Sequence, residues 1–165
     1  MKIAVRLVLL AALAGLGCWL WTVLFPSPEK LVLRKISNLA ANACLGADEG
    51  NLSRAAKASQ VVGEFAGDAE IVVDIPGYAA HTLSGRDEIR EAVLGGFANV
   101  ASLNVRFLDA RARVAADKQT AEVSCTARVS VGGSQDFGIQ ELHFQLKQVE
   151  GDWRIARVET VKTLQ

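Results

Sequence analysis

The chain has 165 residues, half of them hydrophobic, and its 18 basic and 18 acidic side chains cancel to a formal charge of zero. That is the length of one ordinary domain plus an appendage. The charge balance excludes a polyanion-seeking surface. No basic stripe alternates with aromatics, so nucleic acid is not an expected partner.

The appendage comes first. Leu7 to Phe25 reads LVLLAALAGLGCWLWTVLF, 19 residues without a charge. As a helix this covers about 29 Å, close to the hydrocarbon thickness of a bilayer. Trp19 and Trp21 stand near its far end, where amphipathic rings favour the interface. Ala12-Leu13-Ala14 would serve as a signal-peptidase site, but bulky apolar residues continue past it and cleavage would strand them in water. A lipoprotein needs an aliphatic residue three positions before the modified cysteine, and Gly15 stands there before Cys18. An uncleaved single-pass anchor over residues 7–25 is the expectation, with residues 1–27 as anchor and linker and 28–165 as the domain. Lys2 and Arg6 before the span nearly balance Lys30, Arg34 and Lys35 after it, so the positive-inside rule leaves either orientation open. A short basic N-terminus ahead of an apolar segment favours a domain outside the cytoplasm, in a bacterial envelope.

Pro26-Ser27-Pro28-Glu29 ends the span and opens a helix, with Ser27 as cap, Pro28 at the first position and Glu29 on the positive end of the dipole. Leu33, Ile36, Ala40, Ala43 and Cys44 give its apolar stripe, and Gly46 ends it. A second helix follows Asp48, with Leu52, Ala55, Ser59, Val62 and Ala66 inward and Arg54 and Lys57 off the stripe; Gly67-Asp68 closes it. Glu70 to Ile75 is a buried strand ending in Asp74-Ile75-Pro76-Gly77-Tyr78, and Gly77 to Leu83 is a short second strand or extended loop. Ser84-Gly85-Arg86-Asp87 has the spacing of a capping box for a third helix, whose face is Ile89, Ala92, Val93, Gly96, Phe97 and Val100.

From Leu103 the period changes to two, and four long strands follow. Leu103, Val105 and Phe107 alternate, then Leu108, Ala110, Ala112 and Val114 take over, which predicts a bend near Phe107-Leu108. Asp117-Lys118 turns the chain into Ala121, Val123, Cys125, Ala127, Val129 and Val131, and Gly132-Gly133-Ser134 forms a hairpin turn. Phe137 and Ile139 give way to Leu142, Phe144 and Leu146, a second slip at Gln140-Glu141. Glu150-Gly151-Asp152 leads into Trp153 and Ile155. The fold class is α+β: three helices packed on a strongly curved, mostly antiparallel sheet that forms a cone, preceded by one transmembrane helix.

Three local patterns then carry a resemblance. Phe65-Ala66-Gly67-Asp68-Ala69 matches an F-x-x-D-A helix-to-strand junction. Gly85-Arg86-Asp87-Glu88-Ile89-Arg90 matches a G-R-x-x-I-R helix opening, and Gly151-Asp152-Trp153-Arg154-Ile155 matches a G-x-W-x-I start of a last strand. In this order they resemble the nuclear transport factor 2-like superfamily, with its SnoaL-like proteins and ketosteroid isomerases, over roughly residues 31 to 164. These are scaffold motifs and do not fix a reaction.

The resemblance to ketosteroid isomerases sharpens the candidate chemistry. Asp74-Ile75-Pro76-Gly77 is similar to their D-P-x-G turn, which holds the base carboxylate, with Pro displaced by one. Glu141 lies near the late-strand acid of those enzymes, and His143 alternates with Leu142 and Phe144 beside it. Their chemistry needs a base next to the substrate and an acid kept neutral by an apolar site. Their oxyanion tyrosine comes from the first helix, and this first helix has none; the only tyrosine is Tyr78. Asp74, Glu141 and His143 are therefore the candidate catalytic set, and Tyr78, His81, Arg106 and Trp153 are candidate pocket residues. Each has a plainer reading. Asp74 can bond the amides of its own turn, His81 and Arg106 can be solvated, Glu141 and His143 can face solvent, and Trp153 can be core against the third helix.

No H-E-x-x-H, C-x-x-C, Gly-rich phosphate loop or nucleophile elbow is present, so no metal or cofactor is expected. Cys44 and Cys125 lie on apolar stripes and read as free buried thiols, with a single bridge left open. Three functions follow. The first is a membrane-anchored, non-catalytic cone that binds a small apolar ligand or a protein partner. The second is a SnoaL-like isomerase, cyclase or hydrolase with Asp74 as base and Glu141 or His143 as acid. The third is an assembly module forming a homodimer through the outer sheet face.

Overall fold

Pro28 and Glu29 start helix α1 (Pro28–Ala43) where the sequence places it, although Ser27 makes no side-chain cap. The computed structural model describes residues 27–74, 80–132 and 138–161. The expected span at 7–25, Cys18 and Tyr78 lie outside the described residues. Among the described residues no helix is long and apolar enough to cross a membrane. After α1 come α2 (Asn51–Gly63), β1 (Phe65–Val73), β2 (His81–Ser84), α3 (Gly85–Asn99), β3 (Leu103–Val114), β4 (Thr120–Val131), β5 (Gly138–Val149) and β6 (Asp152–Thr160).

The six strands form one mixed sheet in the order β2-β1-β6-β5-β4-β3. Only β1 and β6 run parallel; the other pairs are antiparallel. The three helices cover one face, and that curved sheet with its helices is the expected cone. Val32, Ile36 and Leu39 of α1, Val61 and Val62 of α2, and Ile89 and Phe97 of α3 meet Val123, Phe144, Leu146, Ile155 and Val158 in one core. Phe107 packs edge-on against Phe144, with ring centroids 5.5 Å apart and planes at 68°, a favoured aromatic geometry.

The bends sit where an extra residue enters a strand. In β3 the register against β4 shifts between Leu108 and Arg111, and Asp109 there has φ 53°, the left-handed region that a short polar residue tolerates. This is the bend the alternation predicts, displaced by one or two residues. The second expected slip, at Gln140-Glu141, is not in the β4–β5 pair, which runs unbroken from Thr120↔Lys147 to Val129↔Gly138. Ile139 only mimicked an inward position; it is 69% exposed on the outer face. The second irregularity lies between β5 and β6 at Gln145/Leu146, and it explains why the inward residues of β6 are Trp153, Ile155 and then Val158. Glu150 and Gly151 both have positive φ, at 54° and 87°, the requirement of a two-residue hairpin turn whose twist matches its strands.

The helix stripes also differ from the periodic reading. In α1 the deeply buried positions are Val32, Ile36 and Leu39, with Leu33 and Ala43 only half-buried. In α2 they are Ala58, Val61 and Val62, while Leu52 is 86% exposed. Helix α2 stops at Gly63 and β1 begins at Phe65, so Phe65, Ala66 and Ala69 are buried strand residues with an irregularity between Phe65 and Glu70. Arg86 secures that junction by donating to the Phe65 carbonyl, and Arg154 donates to the Gly63 carbonyl. The capping box is absent as drawn. Ser84 makes no side-chain cap, and its backbone N–H instead donates to Glu88 Oε2 at 2.7 Å.

Candidate functional site

Asp74 stands just past the end of β1, and Thr160 ends the parallel neighbour β6. The Asp74 N–H donates to Thr160 Oγ1 at 2.8 Å, and that hydroxyl donates back to the Asp74 carbonyl at 3.0 Å. Asp74 is thus clamped through its own backbone groups. Val73, the residue before it, is the Cα partner of His81 across β1–β2. Asp74 and the exposed His81 therefore share one end of the sheet.

Glu141 and His143 lie elsewhere. Because Leu142, Phe144 and Leu146 point into the core, strand alternation turns Glu141 and His143 to the outer face. Glu141 is exposed and lines a shallow outer cleft with Arg111, Ser124 and Thr126. His143 Nδ1 is 3.4 Å from Glu159 Oε1, and Arg157 joins Glu159 (3.1 Å) to Glu70 (2.6 Å). Arg157 above all, and then His143, hold the Glu159 carboxyl below its ordinary value. Trp153 is 5% exposed within the core. It also lines a small cleft with Leu31, Arg34, Lys35 and Asn38, which places it against α1 rather than the third helix.

The face under the helices has no such groups. No polar or charged side chain is buried among the described residues. Cys125, in the core, has its thiol pushed up to about 11 by burial alone. Cys44 is half-buried and also free; its Sγ accepts the Val105 N–H at 3.3 Å. Among the described residues no group of His, Cys, Asp and Glu is suited to a metal ion.

Two clefts flank the edge strand β3. The first, about 460 Å³, runs between α1 and β3 and is lined by Leu33, Ile36, Ser37, Ala40, Val105, Phe107 and Leu108. Ser37 and Ala40 are small, so the helix does not fill the space above Phe107. The second, about 660 Å³, is polar and is lined by Lys57, Ser102, Asn104, Arg106, Arg128 and Ser130 beside Cys44 and Leu45. Both volumes lie in the range of small-molecule sites. Arg106 lines both.

The α1–α2 loop that walls the polar cleft is held from several sides. Leu45 and Leu103 exchange backbone hydrogen bonds of 2.7 and 3.0 Å. Lys57 donates to the Cys44 carbonyl at 2.7 Å and pairs with Glu49; that pairing holds the Glu49 carboxyl below its ordinary value. Arg54 donates to the carbonyls of Phe97 (2.6 Å), Val100 (2.7 Å), Ala101 (2.9 Å) and Glu49 (3.0 Å), closing the C-terminal end of α3. Their place off the apolar stripe of α2 was the available signal for these two residues; what they hold was not legible.

The chain matches the family of SnoaL-like domains over residues 31–159. A search of curated proteins returns no match. Among solved structures, a nuclear transport factor 2-like protein with a cystatin-like fold from Novosphingobium aromaticivorans is similar at TM-score 0.61 and 19% identity. That alignment covers 92% of this chain and 88% of that one. A nuclear transport factor 2-like protein of unknown function from Pseudomonas putida gives TM-score 0.65 at 11% identity, covering 83% and 87%. A candidate scytalone dehydratase from Novosphingobium aromaticivorans gives 0.59 at 14%, covering 82% and 83%. At these identities the likeness is one of fold.

Proposed function

The chain belongs to the SnoaL-like domain family, and on that premise we propose that it is a membrane-anchored, non-catalytic member that binds a small apolar ligand in the groove between α1 and β3. The observation that carries this reading is the absence of any buried polar or charged side chain among the described residues. General acid–base chemistry needs a base at the reacting atom and an acid whose proton an apolar site retains. The groove offers aliphatic and aromatic contact in a ligand-sized space and no such pair. Anchoring is proposed on the uncharged 7–25 segment, with the domain on the outer side of the membrane.

The competing reading takes Asp74 as a general base at the rim of the cone. It draws support from the clamped position of Asp74 beside Thr160 and from a structural neighbour described as a candidate dehydratase. A screen of lipid-like and polyketide-like carbonyl compounds separates the two. The non-catalytic reading expects saturable binding with the compound recovered unchanged, in wild type and in Asp74→Asn alike. Turnover that disappears in Asp74→Asn would overturn it.

A further inference from the structure

We propose that the free edge of β3 takes an extended acidic segment of a partner protein as an added antiparallel strand. The proposal goes beyond the ligand-binding reading and does not depend on it. β3 is the last strand of the sheet, so one of its two sides has no strand beside it. Its backbone groups alternate between that side and β4. Leu103 exchanges backbone bonds with Leu45, and the Val105 N–H is taken by Cys44 Sγ, so this end of the edge is covered. Past the bulge the phase is set by the Ala115 N–H, which donates to the Thr120 carbonyl. Arg111 and Arg113 therefore turn their backbone groups to β4, and Ala112 and Val114 turn theirs to the open side. Among the described residues no backbone group bonds them there.

The side chains follow the same alternation. Ala110, Ala112 and Val114 are half-buried and pack against the core, while Arg111 and Arg113 are exposed on the outer face. Neither arginine makes an ion pair or a side-chain hydrogen bond among the described residues, although Glu122 is the register partner of Arg113 and Glu141 shares a shallow cleft with Arg111. A bulge and two charges guard an open edge against its own kind: β3 laid antiparallel on a second β3 would set arginine against arginine. The same charges select a complementary strand. Its acidic residues would stand beside Arg111 and Arg113, and the apolar residues between them would extend the layer of Ala112 and Val114. In that arrangement the apolar residues are the ones whose backbone bonds β3, and main-chain bonds supply the affinity of an added strand.

The test uses the full chain in phosphatidylcholine nanodiscs, followed by nuclear magnetic resonance, with the acetylated and amidated peptides SEVEVES, SQVQVQS and SKVKVKS. SEVEVES should slow hydrogen exchange at the Ala112 and Val114 amides and leave Arg111 and Arg113, already bonded to β4, unchanged. It should bind roughly tenfold tighter than SQVQVQS, the scale of two exposed ion pairs, and SKVKVKS should not bind. The double variant Arg111→Gln with Arg113→Gln should bring SEVEVES down to the level of SQVQVQS. N-methylation of the peptide valines should abolish binding while the protein stays as it is. Equal binding of the three peptides would overturn the charge assignment, and the proposal with it. SEVEVES binding that survives N-methylation, or that leaves the Ala112 and Val114 amides exchanging as fast as before, would mean adsorption of charge only and would also overturn it. Neither result touches the ligand reading, which is tested in the α1–β3 groove.

Discussion

The two faces of the sheet differ in kind. Under the helices, Val123, Phe144, Leu146 and Ile155 are at most 1% exposed and pack with apolar side chains from all three helices. On the outer face β1, β5 and β6 present Glu70, Arg157, Glu159 and His143 as a chain of ion pairs. Strand alternation alone produces this division. What it teaches is that a titratable residue between two core residues, such as His143 between Leu142 and Phe144, faces away from the core. Glu141 and His143, whose alternation left both the pocket and solvent open, stand on the solvated side. The cone interior is left to packing.

That difference should appear in stability. Phe144→Ala removes a fully buried ring that packs edge-on with Phe107 and should cost about 3–5 kcal/mol by denaturant titration. His143→Ala, one residue away on the other face, should stay within about 1 kcal/mol. If the two costs were equal, the division would be wrong. Arg54→Ala comes next, because it strips four carbonyl partners at the end of α3 and the α1–α2 loop. A loss of about 2–3 kcal/mol is expected, of the order of charge-assisted hydrogen bonds to part-buried groups. Thr160→Val removes both bonds of the Asp74 clamp and should cost about 1–2 kcal/mol, with faster exchange at the Asp74 amide.

The smallest expected effect is also the most diagnostic of the outer face. Glu159 is held below its ordinary value of 4.5 by Arg157 first and His143 second. A depressed carboxyl contributes stability above its unfolded value, and that contribution is lost as the pH falls through the folded one. Glu159→Gln should therefore flatten the acid side of the stability profile below about pH 4.5 and change stability at neutral pH by no more than about 0.5 kcal/mol. The thiols repeat the comparison chemically. Cys125, pushed up to about 11 by burial, should resist alkylation at pH 8 in the native protein, since the thiolate is the reactive form. Labelling of Cys125 as fast as in the unfolded chain would show that the core opens.

Much of the fold was legible because its signals are local. Pro28, the period-two runs and the Glu150-Gly151 turn mark elements by backbone requirements that no distant contact alters. Errors arose where burial depends on what packs above. Leu52 matched a helical stripe yet sits in solvent, and Ile139 read as inward because it is apolar, though its register with Arg128 places it outside. The candidate site was less legible for the same reason. Arg106 was visible as a pocket candidate, but its register partner Arg128 and the cleft neighbour Lys57 come from β4 and α2, and only the assembled fold brings them together.

The most direct test of the central claim is where an apolar ligand lands. In a titration of the full chain with 1-octanol, resonance shifts should centre on Ala40, Val105, Phe107 and Ala110, along the α1–β3 groove, and spare His143 and Glu159. Shifts centred on the outer ion-pair chain, with the groove silent, would contradict the assignment of binding to the edge of the cone.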